Sequence, residues 1–456
     1  MRLSLASRRR GAAGPLLLIL AGLGLSACGG VDSISSMNPF KEEERLLPGE
    51  RRSLLADGGA PAATGRTASI GGVTGGADWT QAGGNAANDS GNVAYSGSAT
   101  RVWSVKAGVM GSGGGGYGFG GPGQRVSARP VVAGGVVYVY DPVGNLSAHA
   151  LDSGARRWRV SLQPEGEDKT VGGGGVAVSG GRVFASTGFG TVVSVDAASG
   201  GTQWTAKLDA PARTAPAVGA GKVFVVTRTN SVVAVDIATG TVAWSVETNS
   251  SPAGLVASAS PAVVGDTVYV PTSTGDIVAL AASDGTQKWA VSVAGGSRSL
   301  AVAGLGDASA SPVIDGGVLY ATGVGGRILA ATTATGERVW DQGTGSAHTP
   351  VVSGSSLFIV DLDGRAVAFE KSSGSILWST PLPANAEGKR TTWAGPLLAG
   401  GRLWYVSADG RMAIVDAATG SLQQTVPLGI EGGIAPVAAG GVLVVLGGDG
   451  TLQAFR

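Results

Sequence analysis

The sequence predicts an all-β fold, an eight-bladed β-propeller of four-stranded antiparallel blades closed by pairing the N- and C-terminal strands. Three observations carry this. A tryptophan closes the same phrase again and again, and a proline recurs at a fixed distance before an aromatic. The last copy also stops one strand short, while an orphan strand precedes the first copy.

The phrase runs apolar strand, Gly-containing turn, apolar strand, Ser/Thr-Gly turn, three residues, Trp. Its clearest copy spans Val232 to Gly240 and ends at Trp244; Trp158, Trp204, Trp289, Trp340 and Trp378 close similar ones. Trp103 ends an earlier copy, and Gln424 holds the place in the last full one. Successive intervals from 103 to 424 are 55, 46, 40, 45, 51, 38 and 46, and a period near these values marks a repeat architecture.

The proline stands eight residues before the aromatic of the next strand: Pro130 and Tyr138, Pro216 and Phe224, Pro261 and Tyr269, Pro312 and Tyr320, Pro350 and Phe358, Pro396 and Trp404. Val176 replaces it before Phe184, and Pro436 precedes Val444. Proline has no N–H to give a central ladder, so it suits the start of a strand. Paired glycines such as Gly134-Gly135 and Gly440-Gly441 then form tight turns. Asp363-Gly364, Asp409-Gly410 and Asp449-Gly450 supply the next hairpin. A third strand, the Ser/Thr-Gly turn and the Trp strand complete four, eight times over. The chain ends after a third strand at Arg456, so Arg101 to Val105 is free to complete the final blade and remove an open edge. A solenoid is the alternative, but it needs dissimilar polar caps. In either case the recurrent Trp103, Trp158, Trp204, Trp244, Trp289, Trp340 and Trp378 are framework residues, because a ligand site breaks a repeat rather than following it.

Before the repeats stand two other segments. Arg2 and Arg8 to Arg10 precede the apolar run Leu16 to Leu20, and Leu25-Ser26-Ala27-Cys28 resembles a bacterial lipobox. Residues 1–27 therefore read as a lipoprotein signal peptide, with Cys28 as the lipid-bearing first residue; an ordinary secretory signal is the alternative. Gly29 is not the Asp of inner-membrane retention, which places the protein on the periplasmic face of the outer membrane. Residues 28–75 read as a flexible tether. Its mixed-charge patch from Phe40 to Leu55 is either a solvated linker or a short amphipathic helix. Residues 76–456 form the propeller.

Composition excludes several functions. Net charge is +1, or −3 without the four arginines of the signal segment, so nothing directs the chain to nucleic acid. Cys28 is the single cysteine, so the propeller has neither disulfide nor thiol chemistry. The two histidines fall in different copies, His149 in an apolar strand and His348 just before Pro350, and read as structural or loop residues. The glycine-rich run from Gly108 to Gly123 lacks the Lys-Ser/Thr of a phosphate loop. Asp196, Asp236 and Asp416 each stand four residues before a turn glycine and read as turn formers. No catalytic residue, metal site or cofactor site is expected.

The phrase from Ala234 to Trp244 resembles the repeat of the pyrroloquinoline-quinone-type propellers. One group of these is the quinoprotein dehydrogenases, which hold the quinone and calcium. Another is the BamB family of non-catalytic lipoproteins of the outer-membrane β-barrel assembly machinery. Lipobox, tether, the Asp78-Trp79-Thr80-Gln81 opening and eight copies together resemble the BamB family over nearly the whole length. That resemblance implies docking on a BamA-type barrel protein, contact with other assembly-complex members and with unfolded outer-membrane proteins, and no cofactor. It also implies a partner site in two central connections, at Leu255, Val256, Asp307 and Ser309. The family has arginine where Val256 stands and a second aspartate where Ser309 stands, so the chemistry differs here, and ordinary loop residues are the alternative reading. A quinoprotein dehydrogenase, or a propeller that binds another envelope component, is the alternative function.

Overall fold

Short Val- and Ala-rich runs, each stopped by a glycine turn, form strands of three to seven residues. The computed structural model describes residues 62–111, 125–167, 171–249, 259–295 and 310–456. These strands pair into eight four-stranded antiparallel sheets. In blade 3, Ala217–Gly219, Lys222–Val226, Ser231–Asp236 and Val242–Glu247 lie side by side in chain order. The first strand lies toward the centre and the fourth forms the exposed outer edge.

Blade 8 closes the ring. Arg101–Lys106 pairs antiparallel with Thr451–Phe455 and supplies the outer strand beside Val442–Leu446 and Val437–Ala439. The core lies between blades, because alternate side chains of each sheet face opposite neighbours. Ala177, Phe184 and Val192 of blade 2 thus pack on Val218, Val223 and Val235 of blade 3. Phe224, Val226 and Ala234 face the other way, onto Val263, Val268 and Leu280 of blade 4.

The two sequence markers meet in one contact. The aromatic eight residues after the proline packs on the tryptophan of its own blade, with ring centroids 5.7–6.2 Å apart in six blades. The indole then reaches across to the next blade. The Nε1–H of Trp103, Trp158, Trp204, Trp244, Trp289 and Trp340 donates to a turn carbonyl there, at 2.9–3.2 Å. The turn glycine three residues on covers the ring. A Cβ at Gly240 would stand 2.6 Å from Trp204, and the φ of +74° disfavours any side chain there. Trp378 occupies the same place under Gly420, but its Nε1–H has no partner among the described residues. Between those blades Thr380 Oγ1 donates to the Gly420 carbonyl instead.

Blade 7 departs from the sequence expectation. Pro396 does not start its first strand but lies inside Trp393–Ala399, at a register shift between Ala394 and Leu397. A bulge is one of the few places in a ladder that tolerates the missing N–H. The expected turn aspartates hold: Asp196 and Asp236 each accept two backbone N–H groups and one hydroxyl of their own turn. These bonds hold both carboxyls below the usual range.

Candidate functional site

The chain before the first blade forms a strap across one end of the central channel. Residues 62–75, expected as the end of the tether, are mostly exposed but held at points on the propeller: Ala68 is buried, and Thr64 and Gly65 donate to the carbonyls of Ile376 and Leu377. From Gly71 to Val93 the strap then bonds the innermost strand or its turn in all eight blades. Trp79 exchanges two backbone bonds of 2.7 Å with Val132 in blade 1, and the Thr80 carbonyl accepts from Val178 in blade 2. The Gln81 side chain donates to the Val218 carbonyl at 2.9 Å and accepts its N–H at 3.0 Å. Ala86 and Ala87 serve blades 4 and 5 through Val263 and Ile314, Gly71 meets Ser353 in blade 6, Val93 meets Leu398 in blade 7, and Gly76 meets Gly440 in blade 8. Asn88, at φ +56°, adds bonds to the carbonyls of Pro261 and Pro312.

Beneath the strap lies a cavity of about 80 Å³, lined among others by Ala82, Arg129, Ala215, Ser311, His348 and Pro396. Arg129 pins the strap. Its guanidinium donates to the carbonyls of Ala82 and Pro436 and lies 4.5 Å over the Trp79 ring. Burial pulls its pKa down to about 9. Burial and the Arg129 charge hold His348 down to about 4, so the imidazole is neutral at ordinary pH. His149 has a different role. Its ring is buried in blade 1, with Nδ1 3.0 Å from the Gly154 carbonyl and Nε2 3.1 Å from Ser147 Oγ.

Cys28, Leu255, Val256, Asp307 and Ser309 lie outside the described residues. The stems of the two connections that carry the last four are described, and they meet. Ser260, after the first connection, donates its N–H to Ser311 Oγ, after the second, at 2.8 Å. At the start of the first connection, Thr248 is tied through both N–H and Oγ1 to the Asn230 carbonyl. The Asn230 side chain bonds Arg213 and Ser273. The structure thus brings together the roots of the two expected partner loops. It also assigns structural work to Gln81, named in the sequence only as part of the opening phrase, and to Asn88 and Arg129, which sequence reading did not single out. Arg129 directly precedes the repeat marker Pro130, while Asn88 stands in a segment without periodicity.

A family model described as outer membrane protein assembly factor BamB matches residues 142–380, more than half of the chain. The chain belongs to that family. Among solved structures, BamB from Moraxella catarrhalis is 20% identical with a TM-score of 0.64, covering 78% of this chain and 99% of that one. Quinohemoprotein alcohol dehydrogenase from Comamonas testosteroni is 16% identical with a TM-score of 0.62, covering 83% and 80%. The computationally designed Ika8 protein is 14% identical with a TM-score of 0.55, covering 73% and 100%. At these identities the likeness is one of fold. No curated protein sequence matches.

The quinone and calcium of the dehydrogenase group do not fit the described part of the channel. Its cavity of about 80 Å³ is well below the roughly 300–1,000 Å³ of ligand pockets. None of its described lining residues is a carboxylate, and no three His, Cys, Asp or Glu among the described residues are placed to hold a metal.

Proposed function

We infer that this protein is a non-catalytic scaffold of the outer-membrane β-barrel assembly machinery. It is anchored by lipid at Cys28, docks on a BamA-type barrel protein through the connections around Leu255 and Asp307, and assists folding and insertion of outer-membrane barrels. The observation that carries this is the family membership. A rigid ring with exposed outer strands also suits contact with extended chains, which can add a strand to such an edge.

Crosslinking in intact cells, followed by affinity purification of the full chain, tests this reading. Barrel-assembly components are expected in the eluate, and their absence overturns it. Incubation with pyrroloquinoline quinone and calcium, followed by a dye-linked oxidation assay, tests the dehydrogenase alternative. No quinone-dependent activity is expected.

A further inference from the structure

The channel cavity has a chemistry that scaffolding does not use. Arg129 brings a positive charge into it, and none of the described lining residues is an Asp or Glu. The Ala82 and Pro436 carbonyls and the Trp79 ring offset part of the cost of burying that cation. They carry no net charge, however, and the Arg129 Nε–H is buried without a partner among the described residues. Orphaned buried donors call for an explanation in a ligand, ion or water. The cavity has room for more than one water-sized group. Water alone satisfies donors but leaves the guanidinium charge uncompensated. An anion does both.

We propose that the channel binds one small monovalent anion, a halide or a short carboxylate, held by Arg129 and His348 beneath the strap. The His348 imidazole then donates an N–H to the anion, and the guanidinium supplies the charge. The field that now suppresses protonation of His348 comes partly from Arg129. A bound anion opposes that field and shifts the His348 titration upward.

The chain has only two histidines, so ring ¹⁵N spectra of the full-length protein report two sites. His149, held by Gly154 and Ser147, serves as the internal reference. Sodium bromide and sodium formate are titrated against sodium gluconate at constant ionic strength. The His348 signals are expected to move saturably while those of His149 stay still, and Arg129→Gln is expected to weaken binding at least about tenfold, as loss of a charged partner in a buried site does. Because Arg129 also pins the strap, its variant can fail to fold. Crystals of the unaltered protein soaked in bromide then give the second readout, an anomalous peak in hydrogen-bond reach of Arg129. Signals of His348 that stay still, or that follow salt without saturation as His149 does, overturn the proposal, and so does bromide absent from the channel.

Discussion

At the scale of single residues, the blade-to-blade contact depends on one indole nitrogen. Trp204 donates to the Ile237 carbonyl at 3.2 Å, whereas Trp378, in the same setting, donates to nothing among the described residues. Replacement by phenylalanine removes similar ring area from both, but only Trp204→Phe abolishes a made hydrogen bond. Urea unfolding is therefore expected to show Trp204→Phe costing about 1 kcal/mol more than Trp378→Phe. Asp89 of the strap provides a second test. Burial, and then the Asp315 charge, raise its carboxyl to about 6 from an ordinary 3.8. Ionisation is thus harder in the folded chain. The resulting penalty is absent below about pH 4, grows as pH rises and is complete above about pH 6. Two pKa units correspond to about 3 kcal/mol in full burial, and partial solvent access cuts this to about 1 kcal/mol. Asp89→Asn is expected to stabilise the protein by about that amount at pH 7 and by nothing at pH 4, read by denaturant midpoints at both.

At the scale of elements, the strap and the blades depend on each other. A segment without regular structure leaves many backbone groups to satisfy, and here the inner strands satisfy them. Gln81 shows the coupling most directly, since its amide closes both backbone groups of Val218. Gln81→Ala leaves a buried donor and acceptor unmet and is expected to lower stability by about 2 kcal/mol. Faster hydrogen exchange at Val218 than at Val263 would place the loss at that clasp. The missing eighth tryptophan also has its reason at this scale. The partner of each indole is the turn between the third and fourth strands of the next blade. In blade 8 those strands come from opposite ends of the chain, Thr451–Phe455 and Arg101–Lys106, so no such turn exists. Gln424 therefore faces solvent, and Trp404, the aromatic of its blade, packs instead on Tyr95 with centroids 5.3 Å apart.

At the scale of the whole molecule, Arg101–Lys106 closes the ring against Thr451–Phe455, and the strap bonds all eight blades. The proposed docking connections are tested by Leu255→Arg and Asp307→Arg. Both are expected to reduce capture of a BamA-type partner several-fold while the thermal midpoint stays unchanged; capture at the unaltered level removes these connections from the docking surface. Cys28→Ser is expected to release the protein from the outer-membrane fraction and leave the propeller folded.

Sequence periodicity determined the number of blades, the strand order and the closure, because each blade repeats the same local rules: proline, glycine turn, alternating strand, aspartate turn, indole. Only the tertiary structure decided what the non-repeating residues do. The strap carries no periodic signal, since its residues meet a succession of different blades in different ways. Arg129 and His348 stand more than two hundred residues apart and share a cavity only because the ring closes. That distance is why a histidine that reads as a loop residue in the sequence lines the channel in the fold.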